Sequence, residues 1–159
     1  FKNIEENSIG NGYYIIDGLQ QYVLDKWGAI IKKENDENIE LCIGATFKRV
    51  NYLYSQKIEA YQLMLVNKFA NHPKRAASIL YIYLAKKWNC AIFSDDRVTL
   101  GGKEIWRELL TRSNLEEEGV KIFVYDKKQR KEITNYGSIE NLFGLDDKFE
   151  DIIVGIKPI

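Results

Sequence analysis

The hydrophobic pattern changes at His72-Pro73, and this change constrains the fold more than any other feature. Before it, residues 58–69 (IEAYQLMLVNKF) predict a long strand that is apolar on both faces towards its end, as in a strand covered on both sides. After it, Ala76 to Trp88 carry apolar residues at three- and four-residue spacing, which predicts a helix that ends at Asn89. A short buried strand, residues 90–93 (CAIF), follows. Strand, helix and strand in this order indicate an α/β or α+β domain.

The segment before this unit predicts a β-hairpin. Residues 21–33 are strand-like, and Asn35 to Asn38 (NDEN) form a turn signal. From residue 39 to residue 47, apolar side chains alternate strictly with other side chains, which predicts that they share one face of a strand. Tyr13 to Leu19 fit a short strand or part of a helix. Residues 1–12 are polar and contain glycine, and we expect them to form a flexible lead-in.

The rest of the chain predicts further alternation of helices and strands. A second helix is expected from Gly102 to Thr111, with Trp106 on its inner face, and a strand from Val120 to Tyr125. Residues 126–130 form a charged turn, for which a solvated hairpin tip is the expected structure. A mixed stretch at residues 139–145 precedes a last strand at residues 151–156. We therefore expect one domain over residues 1–159, with a mixed sheet flanked by helices.

Composition disfavours several classes of function. The chain has 23 basic and 23 acidic residues, and a net charge of zero gives no general attraction to nucleic acid or to a membrane surface. No apolar run approaches the roughly 18 residues that span a bilayer. Cys42 and Cys90 are far apart in apolar contexts, which favours buried, reduced thiols in a cytoplasmic protein. With His72 as its only histidine, the chain shows no cluster typical of a metal site.

The order of the elements resembles the GNAT fold of N-acetyltransferases, with a mostly antiparallel sheet. The central part resembles a subset of GNAT-like proteins common in phage genomes. The matching segments are HPKRAASILYIYL at residues 72–84, FSDD at residues 93–96 and TLGGKEIWRELL at residues 99–110. The resemblance covers about 60 central residues by motif and the ends of the chain by topology.

The resemblance implies acetyl-CoA as the cofactor. In the family, the central strand diverges from its neighbour and pairs with the pantetheine arm, which here assigns Leu65, Val66 and Asn67 to that role. The loop that follows holds the pyrophosphate on backbone N–H groups at a helix N-terminus. Here that loop would be Lys74, Arg75, Ala76, Ala77 and Ser78. It departs from the family because no glycine occurs between Gly44 and Gly101, so any position that needs positive φ would be strained.

Three residues are candidates for catalysis. Asp95 and Asp96 lie at a strand end and could deprotonate an attacking amine, although acids that start a helix are an almost equal alternative. Family members often use a tyrosine of the second helix to protonate the leaving thiolate. That helix has no tyrosine here, and Tyr125 on the next strand could substitute. His72 could act as a base, but shaping the turn before Pro73 is the better interpretation.

The sequence leaves three functions open, of which the last, a modifier or binder of nucleic acid, is disfavoured by the net charge of zero. The first is an acyltransferase that moves an acyl group from acyl-CoA to an amine on a small molecule or a protein. The second is a catalytically inactive GNAT-fold interaction protein or inhibitor, of phage origin and directed at a host protein. The loop without glycine and the missing helix tyrosine favour the second function. The basic and small residues retained at the strand-to-helix junction favour the first.

Overall fold

The computed structural model describes residues 4–19, 25–95, 100–112, 114–137, 142 and 151–159. These residues form an α+β fold in which two α-helices accompany a nine-stranded, mostly antiparallel sheet. The strands are β1 (Asn7–Gly10), β2 (Tyr13–Leu19), β3 (Lys26–Asn35), β4 (Asn38–Val50), β5 (Ala60–Lys68), β6 (Ala91–Phe93), β7 (Val120–Asp126), β8 (Lys131–Ile133) and β9 (Ile152–Pro158). The helices are α1 (Ala76–Trp88) and α2 (Leu100–Thr111), and a short 3₁₀ helix spans Tyr54–Gln56.

The sheet combines two antiparallel parts. Strands β1 to β5 follow one another in space as they do along the chain, and the order continues as β6-β9-β7-β8. The two parts meet where β5 and β6 pair in parallel, as a strand–helix–strand connection through α1 allows. The predicted mixed sheet is therefore confirmed at this level.

The two described helices lie on the same face of the sheet. Leu84 of α1 packs on Gly28 of β3, where an added Cβ would lie 2.4 Å from a Leu84 methyl group. Tyr81 of α1 stacks on Trp106 of α2 with ring centroids 5.7 Å apart, so the helices contact each other. The core between these helices and the sheet is the largest cluster of buried residues in the part of the chain that the structure describes. Among the described residues, helices therefore cover one face, whereas we had expected helices to flank the sheet.

The amino-terminal segment is more ordered than the sequence indicated. Residues 7–10 form β1 and pair with β2, so part of the expected lead-in belongs to the sheet. The turn that joins the two strands places Gly10, Asn11 and Gly12 at positive φ. Asn-Gly is the residue pair that tight hairpin turns prefer. The same glycines that suggested flexibility are those that the turn requires.

A β-bulge changes the faces of β4. Ile30 pairs with Ile43 and Ile31 pairs with Leu41, so Cys42 is an extra residue on β4. Ile43 belongs to the core under the helices, whereas Ile39 packs with residues of the opposite face. The prediction that residues 39–47 present one apolar face was wrong, because an inserted residue inverts the alternation.

Both thiols are buried and reduced, as the sequence predicted. No helix in the described ranges is long and apolar enough to cross a membrane.

Candidate functional site

The strands β5 and β6 diverge at the centre of the sheet. They pair over only three residues on each strand, from Ala60 opposite Ala91 to Gln62 opposite Phe93. β6 ends at Phe93, whereas β5 stays paired with β4 as far as Lys68. Along residues 63–68, therefore, β5 has a strand partner on one side only within the described part of the chain.

A second bulge lies where the strands part. Phe47 pairs with Leu63 and Thr46 pairs with Leu65, which leaves Met64 as the extra residue on β5. Bulges disrupt the ladder locally and redirect backbone and side chains, and they are frequent next to active sites. The bulge thus redirects the backbone of β5 at the start of its unpaired edge.

Gln62 fixes the point of divergence. Its side chain is buried, and its Nε2 donates a hydrogen bond of 3.0 Å to the carbonyl oxygen of Ser94. Ser94 is held in turn by Val154, whose carbonyl accepts from the Ser94 N–H at 2.8 Å and whose N–H donates to Ser94 Oγ at 3.2 Å. Sequence analysis missed this link. The available signal was a glutamine among the apolar residues of positions 60–66, because a buried amide requires partners.

The residues predicted to pair with pantetheine lie on this part of β5, which is paired with β4 on one side only within the described part of the chain. Leu65 is 57% exposed and Met64 is 49% exposed, whereas Val66 packs against the core. The prediction that the end of this strand is covered on both faces was wrong. The reason is that the described helices cover only one face of the sheet.

The predicted phosphate loop forms the start of α1. Arg75 is the N-cap residue, has φ +60° and makes no side-chain capping bond. Ala76, Ala77 and Ser78 are buried in the first turn, and the first helical hydrogen bond runs from Ile79 N–H to the Arg75 carbonyl at 3.0 Å. The strain expected from the missing glycines falls on Arg75, because an L-residue at this φ is disfavoured by about 1 kcal/mol.

A carboxylate from α2 lies at this helix N-terminus. Glu108 Oε2 accepts a hydrogen bond of 3.0 Å from Ser78 Oγ, and Glu108 Oε1 lies 3.7 Å from Arg75 Nε and 3.8 Å from Arg112 Nε. A negative charge is favourable at a helix N-terminus, so Glu108 provides this end of α1 with a favourable charge. No motif pointed to Glu108, because its proximity depends on how α2 packs on α1.

The catalytic candidates that the structure describes differ in position and in burial. Asp95 follows β6 at the point of divergence and is half-buried. Asp96 lies outside the described residues. Tyr125 is fully buried, and its hydroxyl donates a 2.7 Å hydrogen bond to the Tyr52 carbonyl. Burial raises the pKa of the Tyr125 phenol. A general acid must reach its acceptor, so this geometry disfavours the proposed role of Tyr125.

The remaining polar candidates lie at the surface. His72 is exposed, and its Nδ1 lies 3.1 Å from the Pro73 carbonyl oxygen, within the turn that precedes α1. Lys74 is also exposed. Within the described ranges, no group of three or more histidine, cysteine, aspartate or glutamate residues is arranged to hold a metal ion.

Tyr81 of α1 buries a hydroxyl without a hydrogen-bond partner in the described part of the chain. Its ring lies between Phe47 and Trp106, and burial raises the pKa of the phenol. Tyr81→Phe is expected to raise the free energy of unfolding by about 1 kcal/mol, because an unsatisfied buried hydroxyl costs about 1–3 kcal/mol. Urea denaturation measures the change.

Tyr125→Phe is the matched control, for which we expect a lower free energy of unfolding, since it removes a hydroxyl that donates to the Tyr52 carbonyl. Equal effects of the two substitutions would contradict this assignment of partners.

Comparison of the chain with models of protein families, with curated proteins and with solved structures finds no match.

Proposed function

We propose that this protein is a GNAT-like acyltransferase that binds acyl-CoA between β5 and β6 and transfers the acyl group to an amine. The observation that carries the proposal is the divergence of β5 from β6 beside the start of α1. α1 returns the chain from the carboxyl end of β5 to the start of β6, so its N-terminus lies at the end of the sheet where the gap opens. In acyl-CoA, an extended arm with amide groups is joined to a diphosphate. The arm would lie along the gap between β5 and β6, and the diphosphate would lie at the N-terminus of α1.

The binding part of the proposal uses backbone groups. The unpaired edge of β5 at Leu65, Val66 and Asn67 would pair with the amides of the pantetheine arm, as an added strand does. The N–H groups at the start of α1, with Arg75 and Lys74 beside them, would receive the diphosphate. Alanine and serine donate the same N–H groups as glycine does, so the missing glycines cost backbone freedom rather than donors.

The chemistry requires one bond to form and one to break. The amine nitrogen attacks the thioester carbonyl, the new C–N bond forms, and the C–S bond breaks to release the CoA thiolate. Holding both reactants in the gap accounts for most of the rate. Asp95, at the carboxyl end of β6, is the described residue proposed to take the proton from the amine. Asp96, which follows it in sequence, is its predicted partner.

One observation favours the alternative function. Glu108 places a carboxylate against Ser78 and near Arg75, where it opposes the diphosphate. A protein that keeps the fold for contact with another protein, without acyl transfer, would tolerate this carboxylate. The affinity for CoA distinguishes the two functions, because only the acyltransferase requires that CoA binds.

Calorimetric titration with acetyl-CoA and with CoA separates the two functions. Saturable binding in the micromolar range supports the acyltransferase, and assays with amine acceptors would follow. No heat of binding at millimolar ligand contradicts it and leaves the interaction protein, for which co-purification with a protein partner is the next test.

Glu108→Gln is expected to tighten CoA binding about fivefold. The substitution removes a negative charge near the proposed diphosphate site, and one charge pair near a protein surface is worth roughly 1–4 kcal/mol before screening. Glutamine keeps an oxygen that can accept from Ser78 Oγ. Glu116→Gln, an exposed carboxylate beyond α2, is the control and should leave the affinity unchanged. Weaker binding by the Glu108→Gln variant would contradict a diphosphate at this position.

A further inference from the structure

The face of the sheet opposite the helices carries an apolar groove of about 540 Å³. The alternation of side chains along β3 shows that the groove lies on this face. Gly28 of β3 faces Leu84 of α1, so the neighbouring Trp27 and Ala29 point away from the helices. Small-molecule sites usually have volumes of about 300–1,000 Å³, and this groove falls within that range.

The floor of the groove is a row of small residues across three strands. Ala29 on β3 pairs with Gly44 on β4, which pairs with Asn67 on β5. A Cβ added to Gly44 would meet no atom within 4 Å, so this glycine leaves open space on the floor. Neighbouring strands lie about 4.8 Å apart, which makes the row about 10 Å long.

The two walls are the rows on either side. One wall consists of Trp27, its partner Thr46 and the partner of Thr46 on β5, Leu65. The other wall contains Ile31 and its partner Leu41. Leu41 belongs to this wall because the bulge at Cys42 turns it away from the helices. Trp27, Leu65, Ile31 and Leu41 thus border a floor of smaller residues, and the trough runs across the strands.

The end of the trough at β5 is polar. Asn67 lines the groove on β5, and Leu65 beside it belongs to the unpaired strand segment of the proposed acyl-CoA site. Among the described residues that line the groove, none carries a charge. This pattern suits a ligand with a polar group at the edge of β5 and an uncharged, unbranched chain along the floor.

We propose that the groove binds the hydrocarbon chain of a medium-length fatty acyl group, so that the acyl donor is a fatty acyl-CoA such as octanoyl-CoA rather than acetyl-CoA. This inference rests on the proposed function, because the thioester would lie at the edge of β5. The chain would turn past Leu65 and cross β5, β4 and β3 above Gly44. Trp27 and Ile31 would enclose it from the two walls.

Calorimetric titration of the unaltered protein with CoA, acetyl-CoA and octanoyl-CoA tests the inference. Each fully buried methylene group contributes about a fourfold gain in affinity, and burial of about half of the six additional groups gives roughly a 50-fold preference for octanoyl-CoA. Gly44→Leu fills the floor and should reduce this preference to less than threefold. Lys48→Leu adds the same side chain to the exposed part of β4 outside the groove and should preserve it.

The outcomes separate the inference from the proposed function. Equal affinity for acetyl-CoA and octanoyl-CoA overturns the inference and leaves the acyltransferase in place. A preference for octanoyl-CoA that persists in the Gly44→Leu variant has the same two consequences. Binding of octanoyl-CoA alone supports the inference. No binding of any of the three compounds overturns both. The comparison of chain lengths uses the unaltered protein, so a Gly44→Leu variant that fails to fold does not remove the test.

Discussion

Arg75→Glu is expected to weaken CoA binding on the order of 100-fold. The substitution replaces a positive charge at the start of α1 with a negative one, so an attraction to the diphosphate becomes a repulsion. The side chain is about half exposed, and its contact with Glu108 is long, at 3.7 Å. Exposed ion pairs contribute little to stability. Glutamate at φ +60° carries the same backbone strain as arginine, so the domain should remain folded.

Calorimetry with CoA measures the change, and a thermal melt confirms the fold. Lys121→Glu is the matched control, because it makes the same charge reversal on the exposed start of β7, at the opposite end of the sheet. Its affinity for CoA should equal that of the unaltered protein. Unchanged affinity in the Arg75→Glu variant would place the diphosphate away from Lys74 to Ser78.

Gly155→Ala is expected to lower the free energy of unfolding by about 2 kcal/mol. Gly155 lies in β9 between β6 and β7, where an added Cβ would lie 2.8 Å from a ring carbon of Phe123 and 2.9 Å from one of Phe93. Both rings are buried and pack against each other at 5.3 Å between centroids. Rigid rings in a close-packed cluster cannot move aside cheaply.

Gly44→Ala is the matched control, since it makes the same change in the middle of a strand with open space beside it. We expect it to raise the free energy of unfolding by about 0.5 kcal/mol, because alanine reduces the freedom of the unfolded chain. Urea denaturation of both variants measures the difference. Equal destabilisation would mean that the loss comes from the strand backbone and not from the contacts of Phe93 and Phe123.

Local patterns predicted the regular elements well. The helical spacing from Ala76 to Trp88 gave the bounds of α1, and Asn89 ends the helix in the left-handed conformation that an asparagine cap favours. The turn signal at residues 35–38 lies between β3 and β4 as expected. These features depend on neighbours along the chain, which the sequence displays directly.

Other features depend on residues that are distant in sequence. The bulge at Cys42 follows from the register between β3 and β4, and a count of alternating residues cannot reveal it. Parts of the candidate functional site likewise depend on residues that are distant in sequence. Basic and small residues marked the start of α1, but Glu108 approaches Ser78 from another helix, and the burial of Tyr125 results from packing beside Tyr52 and Phe93.

The shortness of β6 has a consequence for cooperativity. The antiparallel parts on either side of it are joined through β6 by three residue pairs to β5 and two to β9. Backbone pairing across β6 is therefore no more extensive than at the two edges of the described sheet. α1 packs on β3 in one part and on β9 in the other, so we expect side-chain packing on this helix to couple the unfolding of the two parts. Loosening that helix would let the parts open as separate units of hydrogen exchange, with the gap beside β5 at the boundary.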